Sequence, residues 1–126
     1  MKQYTTPEQT TKLIELGFKP ESIEFASDCE VVNEYGIEII ECINPQFSIG
    51  ELIEILPKTI EEKIWWGDEK GKIGVWGLVI NTLGVEYLWE VSYEREYSCA
   101  IYSDANTELI DALFAVVVKL KEEGVI

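Results

Sequence analysis

The pattern that most constrains the fold is a regular alternation in the second half of the chain. Apolar residues at every second position alternate with mostly acidic ones: Val85, Tyr87, Trp89, Val91 and Tyr93 against Glu86, Leu88, Glu90, Ser92 and Glu94. Because neighbouring side chains of a strand point to opposite faces, this alternation predicts a half-buried strand with one acidic, solvated face. Such a strand requires partner strands and a core on one side.

Short turn-forming segments on both sides of this strand predict antiparallel partners. The turns are expected at residues 68–71, 81–84 and 94–96. The partner strands are expected at residues 63–67, 72–80 and 97–102. An earlier strand is predicted over residues 36–43, although Ile39 and Ile40 interrupt its alternation.

The first helix is predicted from its capping residues. Thr6 is a good N-cap, Pro7 suits the first helical position, and Gln9 completes a capping box. The helix is expected to run from about Pro7 to Leu16. Gly17 can then adopt the left-handed conformation at which many helices end, with Phe18 folding back on Leu13.

The second helix is predicted by the same kind of signal. Ser48 and Glu51 form a capping box, and Phe47 with Leu52 can form a hydrophobic staple. Pro57 ends the helix. The expected buried stripe consists of Ile49, Leu52, Ile53 and Leu56.

The third helix is expected to begin within residues 103–107, where several residues could cap it, and to run to about Glu123, with Gly124 as its stop. Its apolar face is wide and includes the β-branched run of Val116, Val117 and Val118, which has poor intrinsic helix propensity. Packing must therefore hold this helix, which predicts a central position for it. The expected buried face consists of Leu109, Leu113, Val116, Val117 and Leu120.

These elements together predict a single α+β domain over residues 1–126. Its antiparallel sheet is expected to have about four to five strands, and three helices are expected at the N-terminus, in the middle and at the C-terminus. A chain of 126 residues with 47% hydrophobic and 27% charged residues has the usual size and composition of one folded domain.

Three of the four tryptophans lie within a dozen residues of each other. If residues 63–67 form a regular strand, Trp65 and Trp66 point to opposite faces, and Trp65, which shares its face with Lys63, is the one expected to be exposed. The next strand is apolar on both faces and needs cover on both. Helices on both sides, a symmetric partner chain, or a bound ligand or protein would supply that cover. A bulge at Gly67 or Gly74 could instead bring both tryptophans inside.

Composition excludes several chemistries. The chain has no histidine, so catalysis and metal sites that depend on histidine are absent. Neither a phosphate-binding glycine motif nor a calcium loop occurs, and no cofactor, metal site or catalytic residue is predicted. Glu90 and Glu94 share the acidic strand face and are interpreted as solvated carboxylates. The three cysteines, Cys29, Cys42 and Cys99, lack a CxxC spacing and are interpreted as reduced structural thiols.

The net charge is −14 and is unevenly placed. Residues 21–41 contain seven acids and neither Lys nor Arg, a distribution that repels nucleic acids and anionic membranes. The absence of a long apolar run and of a secretory N-terminal segment favours the cytoplasm.

Several stretches resemble small uncharacterised proteins of gut Bacteroides-like bacteria and their phages or mobile elements. They are residues 4–18, 48–57, 89–93 and 108–124. The resemblance rests on helix caps and core stripes scattered over most of the chain. It implies a mobile-element setting and carries over no activity and no site residue.

The function predicted on this basis is a non-enzymatic, cytoplasmic protein-interaction domain, as in an inhibitor, an immunity-type protein or an accessory protein. Its partner-binding candidates are Trp65, Trp76, Glu90 and Glu94, and its partner is another protein, with a basic one favoured by the acidic surface. A homodimer stays open. One alternative is a small-molecule binding or enzymatic domain with a carboxylate-lined aromatic pocket. Another is an acidic mimic of DNA.

Overall fold

The computed structural model describes residues 1–20, 24–83, 88–95 and 100–126, and for residues 24–33 and 37–45 it describes the backbone alone. The elements along the chain are α1 (Pro7–Glu15), β1 (Glu24–Asn33), β2 (Gly36–Pro45), α2 (Ile49–Ile55), β3 (Thr59–Lys63), β4 (Ile73–Leu83), β5 (Leu88–Glu94), β6 (Ile101–Asn106) and α3 (Leu109–Glu122). Strands β3 to β6 form one antiparallel sheet in sequence order, and β1 pairs with β2 in a separate hairpin. The predicted α+β class, with three helices and an antiparallel sheet of about four strands, is confirmed.

Helix α1 has the predicted capping residues at both ends. The Thr6 hydroxyl accepts a hydrogen bond from the Gln9 amide at 3.2 Å, and the Gln9 side-chain oxygen accepts one from the Thr6 amide at 3.0 Å. At the other end Gly17 has a φ of 99°, and the Phe18 amide donates to the Leu13 carbonyl at 3.0 Å. Both ends thus satisfy main-chain groups that the helix alone leaves unpaired.

Helix α2 also has its predicted capping box, in which the Glu51 amide donates to the Ser48 hydroxyl at 3.1 Å. The staple residues Phe47 and Leu52 are both fully buried. The predicted stripe is wrong at Ile53, which is exposed. Ile53 lies 100° around the helix from Leu52, beyond the narrow face that this seven-residue helix buries.

Helix α3 begins later than predicted, at Leu109 with Glu108 as N-cap. The expected start within residues 103–107 is wrong because Ser103 to Asn106 belong to β6, in which Asp104, Ala105 and Asn106 pair with β5. Every residue of the predicted buried face of α3 is buried, and the helix packs against β5, β6 and α2. At its end Gly124 has a φ of 75°, and the Val125 amide donates to the Leu120 carbonyl at 2.9 Å.

The strands occur near their predicted positions, with shifted bounds. β3 ends at Lys63, so the prediction of a strand over residues 63–67 is wrong. The turn predicted at 81–84 is wrong at residues 81–83, because β4 continues to Leu83 and pairs there with β5. β6 covers Ile101–Asn106 instead of residues 97–102, of which 97–99 lie outside the described residues.

The first hairpin contains a strand that the sequence pattern did not reveal. β2 confirms the strand predicted near residues 36–43. β1 was not predicted as a strand, because its carboxylates obscure any alternation of apolar and polar residues. The two strands pair from Glu24 with Pro45 to Asn33 with Gly36.

The predictions for Cys29, Cys42 and Cys99 lie outside the side chains that the structure describes. The same holds for most of the acidic run on which a DNA mimic would depend.

The main sheet separates a buried inner face from an outer face. Residues paired across antiparallel strands share a face, so the pairs Ile60–Trp76, Leu78–Tyr93 and Ile80–Val91, in which Leu78 and Ile80 are partly buried and the others buried, mark the inner one. The inner face packs against the helices to form the core. The buried side chains of the core are those of Leu13, Phe47, Leu52, Leu56, Ile60, Trp76, Val91, Tyr93, Leu109, Ile110, Ala112, Leu113, Val116, Val117 and Leu120.

Strand β5 confirms its predicted inward face at Val91 and Tyr93 and corrects the outward one; Trp89 is half-buried, and the predictions for Val85 and Tyr87 lie outside the described residues. Val91 and Tyr93 are fully buried as expected. The opposite face is not freely solvated, because Ser92 is only 1% exposed and Glu90 and Glu94 are half-buried. The Ser92 hydroxyl donates to a Glu94 carboxylate oxygen at 3.3 Å.

Candidate protein-binding surface

Residues 64–72 form a tight connection between β3 and β4. The Ile64 amide donates to the Lys72 carbonyl at 2.9 Å, and the Gly71 amide donates to the Ile64 carbonyl at 2.8 Å. Gly67 and Gly71 have φ values of 74° and 89°, which L-residues rarely adopt. The glycines therefore permit the turn predicted at residues 68–71, and the connection also includes residues 64–67, which were predicted to be part of a strand.

The three clustered tryptophans have three different environments. Trp76 has no exposed surface and donates from Nε1 to the Glu62 carbonyl at 3.4 Å. Trp66 packs edge-on against Trp76, with ring centroids 6.0 Å apart and an interplanar angle of 70°, and is 37% exposed. Trp65 is 68% exposed, in agreement with the expectation that it faces away from the core. Of the two predicted anchors, Trp65 is at the surface and Trp76 is not.

Exposed aliphatic side chains extend this apolar surface along β4. Ile73 and Val75 are 59% and 57% exposed and lie on the outer face of the sheet, opposite Lys63 and Glu61 of β3. We call the set Trp65, Trp66, Ile73 and Val75 the hairpin surface. Several exposed apolar side chains on one hairpin commonly mark an interaction site.

Several contacts hold the hairpin formed by β3, residues 64–72 and β4, called the hairpin below, against the body of the domain. Ile64 is 3% exposed. A Cβ atom at Gly74 would lie 3.0 Å from both the Arg95 Nε and the Ile64 Cγ1, so the absence of a side chain at Gly74 makes room for these two groups. The Arg95 guanidinium in turn binds the Glu69 carboxylate at 2.7 Å. Trp65 is therefore carried on a turn that is fixed on both sides.

The ion pair between Arg95 and Glu69 predicts a measurable pH dependence. The hydrogen bond and positive charge of Arg95 lower the pKa of Glu69 below 4.5. Since the folded-state pKa is depressed, the pair stabilises the hairpin above the unfolded pKa and ceases to do so as the pH falls through the folded value. NMR titration should find a lower Glu69 midpoint in the native chain than in Arg95→Gln. Equal midpoints in the two chains would show that the pair does not form in solution.

The predicted carboxylates lie on the same face as the aliphatic part of the hairpin surface. Glu94 and Glu90 pair with Gly77 and Asn81 of β4, at outer-face positions of the strand that also carries Val75. The outer face thus runs from an apolar end near the hairpin to an acidic end. Of the predicted candidates, Glu90 and Glu94 lie on the outer face, Trp76 lies on the inner face, and Trp65 lies on the turn that joins β3 and β4.

Comparison with protein-family models, curated proteins and solved structures found no match to the chain.

The geometry therefore carries the functional assignment. Sequence reasoning missed the exposure of Ile73 and Val75, although it placed them on one face of a strand that is apolar on both sides. The apolar character of both faces of β4 was the sequence signal that could have revealed this exposure. Among the described residues no helix is long and apolar enough to cross a membrane, and no group of three or more acidic or cysteine side chains could hold a metal ion.

Concave regions also occur elsewhere on the part of the chain that the structure describes, among them the following two. One, of about 240 Å³, is lined by Lys19, Phe47, Glu51, Glu54 and Ile55. The other is an open cleft of about 470 Å³ between β3 and the end of α3. Its lining includes three carboxylates, those of Glu61, Glu62 and Glu123. The smaller cavity combines carboxylates with an aromatic ring, as the small-molecule alternative requires.

Proposed function

We propose that the chain is a non-enzymatic protein-interaction domain that binds a basic partner protein through the hairpin surface. The observation that carries the proposal is the exposure of Trp65 on a hydrogen-bonded turn, beside exposed Ile73 and Val75. A single exposed apolar side chain is ordinary for a soluble protein, but four in one small region are not.

The chemistry of Trp65 suits a binding anchor. Tryptophan is among the residues that contribute most to protein interfaces, because its large ring removes much apolar area from water while losing little conformational entropy. Its turn is fixed by Ile64, Trp66 and Arg95, so little further ordering is needed when a partner binds. Such preorganisation favours affinity.

Charge decides between a second copy of the chain and a different partner. The net charge of −14 opposes the approach of an identical chain and attracts a basic protein. The outer face carries Glu61 beside Val75, and Glu94 and Glu90 farther along the sheet, and these carboxylates can meet basic side chains around an apolar pocket of the partner. The proposed occupant is therefore a basic protein with a pocket for an aromatic ring.

The proposal is tested by comparative capture followed by reconstitution. The native chain and folded Trp65→Ala would be immobilised in parallel, and proteins retained by the native chain alone would be purified and titrated against both. We expect a partner with an isoelectric point above 7, whose affinity falls as salt increases. If every retained protein binds both chains equally, or if the Trp65-dependent partner is acidic, the proposal is wrong.

In the mobile-element setting that the sequence resemblance implies, such binding would serve an inhibitor, an immunity-type protein or an accessory regulator. We place the encounter in the cytoplasm, which the three cysteines without a pairing pattern favour. The binding chemistry proposed for the hairpin surface is the same for all three roles.

A second candidate function rests on the cavity beside α2. Lys19 and the two glutamates at its rim could hold both ends of a small zwitterionic ligand, above Phe47 and Ile55. A thermal-shift screen of free amino acids separates the candidates, since a pocket ligand raises the melting temperature without any protein partner. Stabilisation that is lost in Glu54→Gln and kept in Trp65→Ala would favour this second function.

A further inference from the structure

Tyr102 is the one non-glycine residue of positive φ among the residues that the structure describes, with a φ of 49°. It lies at a bulge, where β6 supplies two residues, Tyr102 and Ser103, opposite the single Ser92 of β5. Glycine commonly occupies such a left-handed bulge position, because a Cβ atom makes the conformation unfavourable. Interactions of its side chain or its neighbours must therefore hold Tyr102 there.

The Tyr102 hydroxyl supplies one such interaction. It donates a hydrogen bond to the Glu62 carboxylate at 2.9 Å. Glu62 belongs to β3 and Tyr102 to β6, the two edges of the four-stranded sheet, so the bond joins strands that are not neighbours. Burial and the adjacent Glu62 carboxylate raise the pKa of Tyr102 to about 12, and the hydroxyl is, as in any tyrosine, a protonated donor at neutral pH.

The neighbouring residues of β6 are fixed separately. The Lys119 ammonium of α3 donates to the Ser103 carbonyl at 2.6 Å and lies 3.7 Å from the Asp104 carboxylate. The bulge is thus bound to α3 on one side. Through the Tyr102 hydroxyl it is bound to β3 on the other.

Glu62 connects this bond to the hairpin. Its main-chain oxygen accepts the Trp76 indole N–H at 3.4 Å, and Trp76 carries the ring of Trp66. Glu62 also precedes the turn that contains Trp65 by two residues. A contiguous series of contacts therefore runs from α3 through Tyr102, Glu62 and Trp76 to the hairpin surface.

We propose that Tyr102 is a positioning residue whose hydroxyl, by holding β3 from across the sheet, keeps the hairpin surface in its binding geometry. The inference rests on the proposed function for its biological meaning, since it concerns the same surface. The effect of the Tyr102 hydroxyl on the hairpin can be measured without any partner. A purely space-filling role would leave phenylalanine as good as tyrosine at this position, whereas a positioning role requires the hydroxyl.

The test is native-state hydrogen exchange on Tyr102→Phe, followed at the amides of Ile64, Gly71 and Lys72 of the hairpin and at Val117 of α3. Loss of one intramolecular hydrogen bond is expected to accelerate exchange in the hairpin about fivefold. Exchange at Val117 should stay unchanged. Tyr93→Phe is the matched control, because its hydroxyl donates to the Pro57 carbonyl at 2.7 Å, beyond the opposite end of β3.

Each outcome decides the question. Faster exchange confined to the hairpin in Tyr102→Phe, and absent in Tyr93→Phe, supports the proposal. Unchanged exchange, equal acceleration in both variants, or equal acceleration in hairpin and α3 overturns it. Partner affinity separates this result from the proposed function: Trp65→Ala weakens binding whether or not Tyr102 positions the hairpin, and exchange can reveal positioning even if no partner depends on Trp65.

Discussion

Replacement of Trp76 by alanine is expected to lower the free energy of unfolding by about 3–5 kcal/mol, the usual cost of removing a buried large aromatic side chain. Trp76 has no exposed surface, pairs with Ile60 across the sheet and supports the ring of Trp66. The substitution leaves a cavity in the core and removes the ring against which Trp66 packs. Urea denaturation followed by circular dichroism measures the loss.

Trp76→Phe provides the control in case the alanine variant does not fold. It keeps an aromatic ring and loses the indole hydrogen bond to Glu62, so its destabilisation should be smaller. A change of no more than about 0.5 kcal/mol in Trp76→Ala, the size usual for surface positions, would contradict the assignment of Trp76 to the core.

Replacement of Trp65 by alanine is expected to change the stability little and to weaken partner binding strongly. Because the side chain is 68% exposed, the free energy of unfolding should change by no more than about 0.5 kcal/mol. Affinity for the partner should fall about 30-fold or more, the scale of a dominant interface residue. Isothermal titration calorimetry with the reconstituted partner measures the affinity, and urea denaturation measures the stability.

Ile14→Ala is the matched control for Trp65→Ala. Ile14 is also apolar and 46% exposed, but it lies on α1, outside the hairpin surface. It should leave the affinity unchanged. Equal losses of affinity in the two variants would mean that general hydrophobicity, rather than the hairpin surface, drives binding.

The helix ends could be predicted because their determinants are local. The capping boxes at Thr6 and Ser48 and the glycine ends at Gly17 and Gly124 each depend on a few consecutive residues. Their hydrogen bonds form in whatever fold contains them. The start of α3 was misplaced because its candidate caps belong to a strand, and strand pairing is a tertiary property that local capping signals do not report.

The hairpin could be predicted only in part for the same reason. Alternation correctly separated Trp65 from Trp66, but it did so under the assumption of a strand that in fact ends at Lys63. The two-sided apolar character of β4 was visible in the sequence. Each face of β4 could be covered by helices, by another chain or by solvent, and the outcome depends on where α3 packs. Helix α3 packs on the inner face, near β5 and β6.

The assignment of Trp76 shows the same limit at a single residue. In the sequence Trp76 and Trp65 were equally plausible anchors. Their difference comes from register, because Trp76 pairs with buried Ile60 whereas Ile73 and Val75 pair with exposed Lys63 and Glu61. Register is set by the whole hairpin and its turn.

The central claim is that the hairpin surface is open to a different protein and is not covered by a second copy of the chain. Light scattering of the native chain and of Trp65→Ala, at physiological ionic strength, tests it most directly. We expect both proteins to be monomers, with the native chain at 14.4 kDa. A native dimer that becomes a folded monomer in Trp65→Ala would contradict it and assign the hairpin surface to self-association.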